Sequence, residues 1–172
     1  FQRQIHNIEN TPFRTKFERD LADFRGHAGL GCISDSDPQP LLVRSHLGLY
    51  AIVTVGIINN TDELVKAYLS DKGQQFLTLS SGRVNVTELT AALINQENDL
   101  VSGILHAMEV IDGSMTILIL TEEGELIAAR DSMGRLPVLI GQREDGYCVS
   151  FESFAYHKLD YQDAYELGPR EI

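Results

Sequence analysis

The chain has 172 residues, enough for one domain, and its 43% hydrophobic content allows a buried core and excludes a disordered chain. Its 14 Lys and Arg residues against 25 Asp and Glu residues give a formal net charge of −11 without any cationic run, which excludes a nucleic-acid partner. No apolar run approaches the roughly 20 residues of a membrane helix, and two cysteines, Cys32 and Cys148, favour a reduced cytoplasmic setting over a disulfide framework.

The first third of the sequence predicts a helix, a strand and a hairpin. Closely spaced glycines favour a short buried strand over 28–33, and the hairpin is predicted over 41–55 with its turn at 46–48. The helix is predicted over 14–24, because four apolar residues recur there at helical spacing: Phe13, Phe17, Leu21 and Phe24.

Three helices are predicted to follow the hairpin. Gly73 is expected to end the first, and the third is predicted over 99–110 from its apolar stripe. Two asparagine–glutamate pairs have the spacing of a capping box, so each asparagine is expected to begin a helix: Asn60 with Glu63, and Asn85 with Glu88.

Strands dominate the last third of the sequence. Two hairpins with glycine in the turn are predicted over 115–130 and 136–152. Their near-continuous apolar runs indicate burial on both faces, so helices should cover the sheets. Strands, then helices, then strands predict an α+β fold with antiparallel sheets under helical layers.

The residue types that carry chemistry form no catalytic pattern by themselves. The five histidines are scattered and neither cysteine is in a CxxC motif, so we predict no metal and no cofactor. Each cysteine falls in an apolar strand pattern, which favours an inert thiol over a nucleophile.

The Arg130–Asp131 pair ends an apolar strand. Asp131 is expected to bond to the following turn and Arg130 to pair with a carboxylate, with Glu152 as the candidate.

Several segments resemble a known family in order and spacing. Residues 130–141 are similar to the family segment RDPxGxRPLxxG, 145–153 to DGxYxxASE, and 168–172 to the PGEI ending. Shorter matches lie at 39–40, 51–60 and 85–94. From about residue 26 to 172, the sequence resembles the class II glutamine amidotransferase domain of amidophosphoribosyltransferase.

The resemblance implies a fold, a reaction and partners. The fold is the four-layer αββα sandwich of N-terminal-nucleophile hydrolases, here a partial domain over 1–172 whose first strand is missing, which should leave an open sheet edge. Family members attack the side-chain amide of glutamine with an N-terminal cysteine, and an Asn and a Gly form the oxyanion hole. The released ammonia passes to a phosphoribosyltransferase domain for purine synthesis, so such a domain is the expected partner, together with homo-oligomerisation.

The sequence departs from this family at the catalytic positions. Phe1 has no thiol, and Val55 replaces the oxyanion-hole Asn, so that Gly56 is the only residue retained from that segment. Val86 replaces the aspartate that pairs with the substrate ammonium, and the arginine that binds its carboxylate has no counterpart in 31–34. We therefore expect no catalytic residue in this chain. The retained motif residues are expected to be structural: Arg130, Asp131, Gly134, Pro137 and Glu152.

Three hypotheses for function follow from this combination. The favoured one is a degenerate amidotransferase domain, a pseudoenzyme retained as a scaffold or regulatory domain, because the fold signature is present beside replaced chemistry. The second is an active glutaminase half whose cysteine lies upstream of Phe1. The third is another N-terminal-nucleophile amidohydrolase with a remodelled pocket.

Overall fold

Strands in the middle of the chain form one antiparallel sheet, and strands near its C-terminal end form another. The computed structural model describes residues 1–35, 37–70, 74–77, 79–80 and 82–172. The elements in chain order are α1 (Phe13–Asp23), β1 (Leu41–Ser45), β2 (Gly48–Ile58), α2 (Thr61–Leu69), β3 (Leu79–Ser80), β4 (Arg83–Val84), α3 (Val86–Ile94), α4 (Leu100–Val110), β5 (Gly113–Thr121), β6 (Leu126–Ala129), β7 (Leu139–Arg143), β8 (Gly146–Ser150), α5 (Ser153–His157) and β9 (Gln162–Glu166).

The first sheet has the strand order β1-β2-β5-β6 and contains the main core. Strands β2 and β5 pair antiparallel from Tyr50 opposite Thr121 to Ile58 opposite Gly113. Because side chains alternate between the faces of a strand, one face of this pair points at α3 and α4. Ile52, Ile117 and Ile119 on that face are completely buried in the core cluster with residues of both helices. Strand β5 is buried on both faces, as predicted, and the helices cover one of them. Strands β6, β7 and β8 are largely half-buried or exposed, so the prediction of burial on both faces is wrong for them.

Helices α3 and α4 approach each other closely over this sheet. Asn85 caps α3 through its Oδ1, which accepts a hydrogen bond from the Glu88 amide at 3.0 Å. Asp99 caps α4 by accepting from the Ser102 amide at 2.9 Å. Gly103 lies so near α3 that a Cβ there would be 2.3 Å from the Ile94 carbonyl oxygen. A residue without a side chain is therefore required at this contact.

The second sheet has the order β8-β7-β9, with α5 packed on one face. Tyr156 of α5 lies directly on Gly141 of β7, where a Cβ would be 2.9 Å from the tyrosine Cδ2. The opposite face of this sheet meets β6, and a cleft of about 290 Å³ between them is lined by Leu126 and Ala128 on one side and by Ile140 and Tyr165 on the other. Strands β3 and β4 form a separate antiparallel pair. The two larger antiparallel sheets, with helices outside them, confirm the predicted α+β fold.

The residues before β1 form one helix and no strand among 1–35 and 37–40. The helix predicted over 14–24 is α1, but the strand predicted over 28–33 is wrong. A Cβ added at Gly29 or Gly31 would meet nothing within 4 Å. Both positions face open space, and 28–33 pairs with no strand among the described residues.

Further differences from the sequence prediction lie at element ends and at one sheet edge. Asn60 precedes α2 but makes no side-chain cap; its amide instead binds the Val110 carbonyl oxygen and the Asp112 amide, at 2.9 and 3.0 Å. Strand β9 was not predicted because its Gln-Asp-Ala-Tyr-Glu sequence lacks an apolar face and its residues are exposed. The predicted helix end at Gly73 lies outside the described residues.

Candidate functional site

Gly56, the residue retained from the oxyanion segment, lies on β2 directly against β5. A Cβ at this position would be 1.9 Å from the Ser114 carbonyl oxygen and 2.9 Å from the Met115 Cα. This close approach requires glycine whatever the chemistry of the site. The retention of Gly56 therefore has a structural explanation and is not evidence for an oxyanion hole.

The two residues before Gly56 offer no free donor pair to a substrate. Val55 has an apolar side chain, and the Thr54 hydroxyl lies 2.7 Å from the Thr87 hydroxyl in the buried space under α3. The Thr54 backbone is bound by the carboxamide of Gln39. Its amide donates to Gln39 Oε1 at 2.8 Å, and its carbonyl oxygen accepts from Gln39 Nε2 at 3.1 Å. These polar groups therefore satisfy one another.

Val86, which replaces the ammonium-binding aspartate, is the first residue of α3. Its amide donates to Asp37 Oδ2 at 3.2 Å, and the Asp37 side chain is itself buried. A carboxylate is favoured there because the N-terminus of a helix carries a partial positive charge. The loop before β1 thus supplies a carboxylate beside Val86, but that carboxylate is already bound by the helix start.

The two thiols lie in different parts of the molecule and neither is activated. Cys32 is half-buried in the segment before β1, and burial raises the pKa of its thiol. Cys148 is half-buried on β8, where burial also raises its pKa. A nucleophilic cysteine needs the opposite shift. Across the described ranges, no three His, Cys, Asp or Glu side chains are grouped to bind a metal ion.

Asp131 connects the turn after β6 to the first sheet. Its Oδ1 accepts hydrogen bonds from the Met133 and Gly134 amides, at 2.8 and 2.9 Å, as predicted for the following turn. Its Oδ2 accepts from the Met115 amide at 3.1 Å. Met115 lies opposite Gly56 in the strand register. The Arg130–Asp131 motif is therefore connected to the oxyanion segment through this residue pair, a link that was not predicted from the sequence.

Arg130 pairs with Glu166 and not with Glu152, so that part of the prediction is wrong. Its Nη1 lies 3.2 Å from Glu166 Oε1 and also donates to the Leu167 carbonyl oxygen, while Nη2 donates to the Gly134 carbonyl oxygen at 2.8 Å. Glu152 is exposed and precedes α5. The unpredicted strand β9 brings Glu166 to the arginine.

The remaining motif residues shape the same turn. Gly134 has φ +59°, and a Cβ there would lie 2.9 Å from Pro169 Cγ, so both backbone and space favour glycine. Pro137 is half-buried before Val138, whose carbonyl oxygen accepts from the Leu167 amide at 2.9 Å. These contacts fasten the C-terminal segment to β6 and β7.

A polar cluster on the second sheet had no signal in the sequence. The Tyr156 hydroxyl donates to Asp163 Oδ1 at 2.5 Å, and His157 Nε2 lies 2.9 Å from the same oxygen. The hydrogen bond from Tyr156, followed by that from His157, lowers the pKa of the Asp163 carboxyl. Burial, reinforced by Asp163, raises the pKa of Tyr156 to about 12. Because Asp163 lies on β9, this cluster could be found only once that strand was known.

Comparison with known proteins places this geometry in a family. The amidophosphoribosyltransferase of Methanocaldococcus jannaschii is 28% identical over 99% of this chain and 38% of its own length. That of Archaeoglobus fulgidus is 30% identical over 76% of this chain and 28% of its own length. The chain thus spans less than two fifths of the curated relatives it matches.

Solved structures agree with the sequence relatives. The glutamine phosphoribosylpyrophosphate amidotransferase of Bacillus subtilis, in complex with ADP and GMP, is similar with a TM-score of 0.66 and 31% identity, over 77% of this chain and 28% of that one. It has the N-terminal-nucleophile fold that the resemblance implied. Residues 28–156 match the family described as the glutamine amidotransferase domain. Because this match covers most of the sequence, the chain belongs to the glutamine amidotransferase domain family.

Proposed function

We propose that this chain is the amidotransferase-like domain of an amidophosphoribosyltransferase-like protein of purine synthesis and that its glutaminase site has degenerated. The domain then serves as a scaffold or regulatory unit, in the cytoplasm, for a phosphoribosyltransferase domain of the same protein. The names of its relatives and the family match support the first part. The observation that carries the second part is the pair Val55 and Val86 at the positions where family members bind glutamine.

The chemistry of glutamine recognition explains why these valines matter. An amino acid carries an ammonium and a carboxylate, and each needs a charged partner when it leaves water. Val86 offers the ammonium no charge, and the nearby Asp37 carboxylate is already bonded to the start of α3. Val55 has no side-chain donor for the oxyanion, and removing one such donor typically costs on the order of 10²–10³ in rate. Both binding and catalysis should therefore be lost.

The decisive experiment uses the full-length protein with phosphoribosyl pyrophosphate and either glutamine or ammonia. We expect phosphoribosylamine from ammonia only, because the transferase reaction does not need the glutamine pocket. Formation of product from glutamine would overturn the proposal and favour the alternative of an active glutaminase half. No product from either nitrogen source would reject the transferase assignment.

Glutamine binding tests the lost pocket separately. Calorimetric titration should detect no binding at micromolar glutamine, and Val86→Asp should raise the affinity by restoring a partner for the ammonium. Val101→Asp, on the exposed face of α4, makes the same change of charge away from the site. Micromolar binding by the unmodified chain, or equal gains in the two variants, would contradict the assignment of Val86.

A further inference from the structure

Within the described ranges, the two larger sheets end in four edge strands: β1, β6, β8 and β9. An edge strand exposes unpaired N–H and C=O groups, and proteins commonly protect such edges with charged side chains, bulges or short strands. Three of these edges have such protection. Strand β1 contains Arg44, β6 has only four residues, and β9 contains Asp163, Glu166 and a shift in its register with β7.

Strand β8 has none of these protections. Its residues, Gly146–Ser150, include no charged residue and no proline, and they pair with β7 without a shift in register. In the part of the chain that the structure describes, no strand lies on the other side of β8. Tyr147 on this strand is 66% exposed, and Val149 is half-buried. The strand therefore offers an uncharged edge for pairing.

The register with β7 determines which backbone groups of β8 point outward. The two residues that flank the two-residue turn between β7 and β8 form a hydrogen-bonded pair, and such pairs alternate along an antiparallel ladder. Cys148, opposite Gly141, is two residues beyond the turn flank, so its backbone bonds to β7. Tyr147 and Val149 lie at the alternate positions. Their N–H and C=O groups therefore point away from the sheet.

A second copy of β8 fits this edge in an antiparallel arrangement with a twofold axis at Cys148. Tyr147 of each copy then lies opposite Val149 of the other, and both pairs use the outward N–H and C=O groups in hydrogen bonds. Cys148 faces Cys148 of the second copy in a pair without hydrogen bonds, where the two Cα atoms are about 4.5 Å apart. The same five residues thus satisfy both edges.

Side chains and charges also favour this arrangement. An aromatic residue opposite a β-branched residue is a stabilising cross-strand pair, so the exposed Tyr147 ring gains a neighbour. The chain has a net charge of −11, yet the paired residues bring no carboxylates together. The pairing ends before Glu152, and in the turn Asp145 is already paired with Arg143, whose Nε donates to Asp145 Oδ1 at 2.6 Å.

We propose that this chain forms a twofold dimer in which β8 pairs antiparallel with β8 of a second copy. The two sheets of order β8-β7-β9 then become one sheet of six strands. The twofold register favours a second copy over an unrelated extended segment, because such an interface is self-complementary. A five-residue edge is small beside the interfaces of permanent complexes, so the dimer is weak and forms at high protein concentration. This inference does not depend on the proposed function.

Sedimentation velocity at rising protein concentration, in the presence of a reducing agent, tests the pairing. Val149→Pro removes one outward N–H and leaves the hydrogen bonds to β7 intact, because proline is tolerated where the N–H faces away from the sheet. We expect this variant to dimerise at least tenfold more weakly. Val149→Thr keeps the N–H and a similar shape, so it should dimerise like the unmodified chain. A monomer at every concentration, or equal weakening in both variants, would overturn the proposal.

Oxidative cross-linking locates the contact in the unmodified protein and does not depend on whether the variants fold. Copper phenanthroline should join Cys148 of two copies in a disulfide, with the two thiols losing two electrons and two protons to the oxidant. The expected Cα separation of about 4.5 Å lies within the range of about 4.4–6.8 Å for disulfides. Cys32, half-buried in the segment before β1, is the internal comparison. Peptide mapping should find mainly Cys148–Cys148 links. Links that involve Cys32 equally often would indicate random collision and overturn the proposal.

Discussion

Asp131 joins three separate parts of the chain: the turn after β6, the start of β5 and the C-terminal segment. Its carboxylate accepts three backbone hydrogen bonds, two from the turn after β6 and one from the start of β5, while its side chain is 5% exposed. Its own carbonyl oxygen accepts from the Arg170 amide at 3.0 Å. If the carboxylate or its donors are removed, the buried polar groups that remain have no hydrogen-bond partner. Their desolvation is then uncompensated and lowers the free energy of unfolding.

Replacing Asp131 tests this structural role. Asp131→Ala removes the carboxylate that accepts from the Met115, Met133 and Gly134 amides, of which the Gly134 amide keeps the Asp131 carbonyl oxygen at 3.1 Å. Hydrogen bonds to a charged group are worth about 1.5–3 kcal/mol each, not additively. We expect a loss of about 3 kcal/mol in the free energy of unfolding, measured by urea denaturation. Glu152→Ala changes an exposed carboxylate of the same motif and should stay within about 0.5 kcal/mol. Similar losses in the free energy of unfolding of both variants would contradict the structural role assigned to Asp131.

The contacts of Asp131 within its turn could be predicted from sequence, but the partner of Arg130 could not. An aspartate before a glycine-containing turn commonly bonds to amides two and three residues on, which is what Asp131 does. The partner of Arg130 lies 36 residues away on β9. That strand is polar and exposed along its length, so no apolar periodicity indicated that Glu166 would reach the arginine.

The contact between α3 and α4 depends on one missing side chain. Gly103→Ala would place a methyl group 2.3 Å from the Ile94 carbonyl oxygen, so the helices must separate. Overpacking of this kind typically costs about 1–3 kcal/mol, and we expect a loss in that range by thermal or urea unfolding. Gly146→Ala, in a hairpin turn with open space around it, is the matched control. Equal stability of the two variants would show that the helix contact can readjust.

Elements with a buried face were predictable, whereas elements at the periphery were not. Strands β2 and β5, together with α3 and α4, have apolar patterns because they bury side chains in the core. The segment 28–33 has similar residues but no sheet neighbour, and it forms no strand. Asn85 caps α3 as predicted, whereas the Asn60 side chain is hydrogen-bonded to the end of α4. Local spacing therefore identifies a candidate cap, and tertiary contacts decide whether it is used.

The molecule as a whole contains two buried tyrosines that must remain neutral in the folded state. Burial raises the pKa of Tyr50 to about 12, a shift partly opposed by its hydrogen bond with Asn95, and the pKa of Tyr156 also rises to about 12. A folded pKa above the ordinary value of 10.0 means that neutral tyrosine favours folding. This contribution is complete below pH 10 and is lost as the pH rises towards 12.

Alkaline unfolding measures this effect. The urea midpoint should decline between pH 10 and pH 12, and the decline should be smaller in Tyr156→Phe, because phenylalanine has no proton to lose. Tyr147→Phe, which alters an exposed tyrosine on β8, should leave the decline unchanged. If the urea midpoint of Tyr156→Phe declines as steeply as that of the unmodified protein, the buried hydroxyl does not govern alkaline stability.

The carboxamide of Gln39 has a consequence for hydrogen exchange across the molecule. Strand β1 begins at Leu41, opposite Ile52, so the Thr54 amide on that edge of β2 is protected by a side chain instead of a strand. The amides of Val53 and Val55 point the other way, towards β5, because donors alternate along a strand. Exchange at Thr54 should therefore follow the opening of the loop that ends at Pro40, while exchange at its two neighbours follows the opening of the sheet. Adjacent amides of one strand therefore report two different motions. A molecule that binds against the loop should slow hydrogen exchange at Thr54 and leave exchange at Val53 and Val55 unchanged.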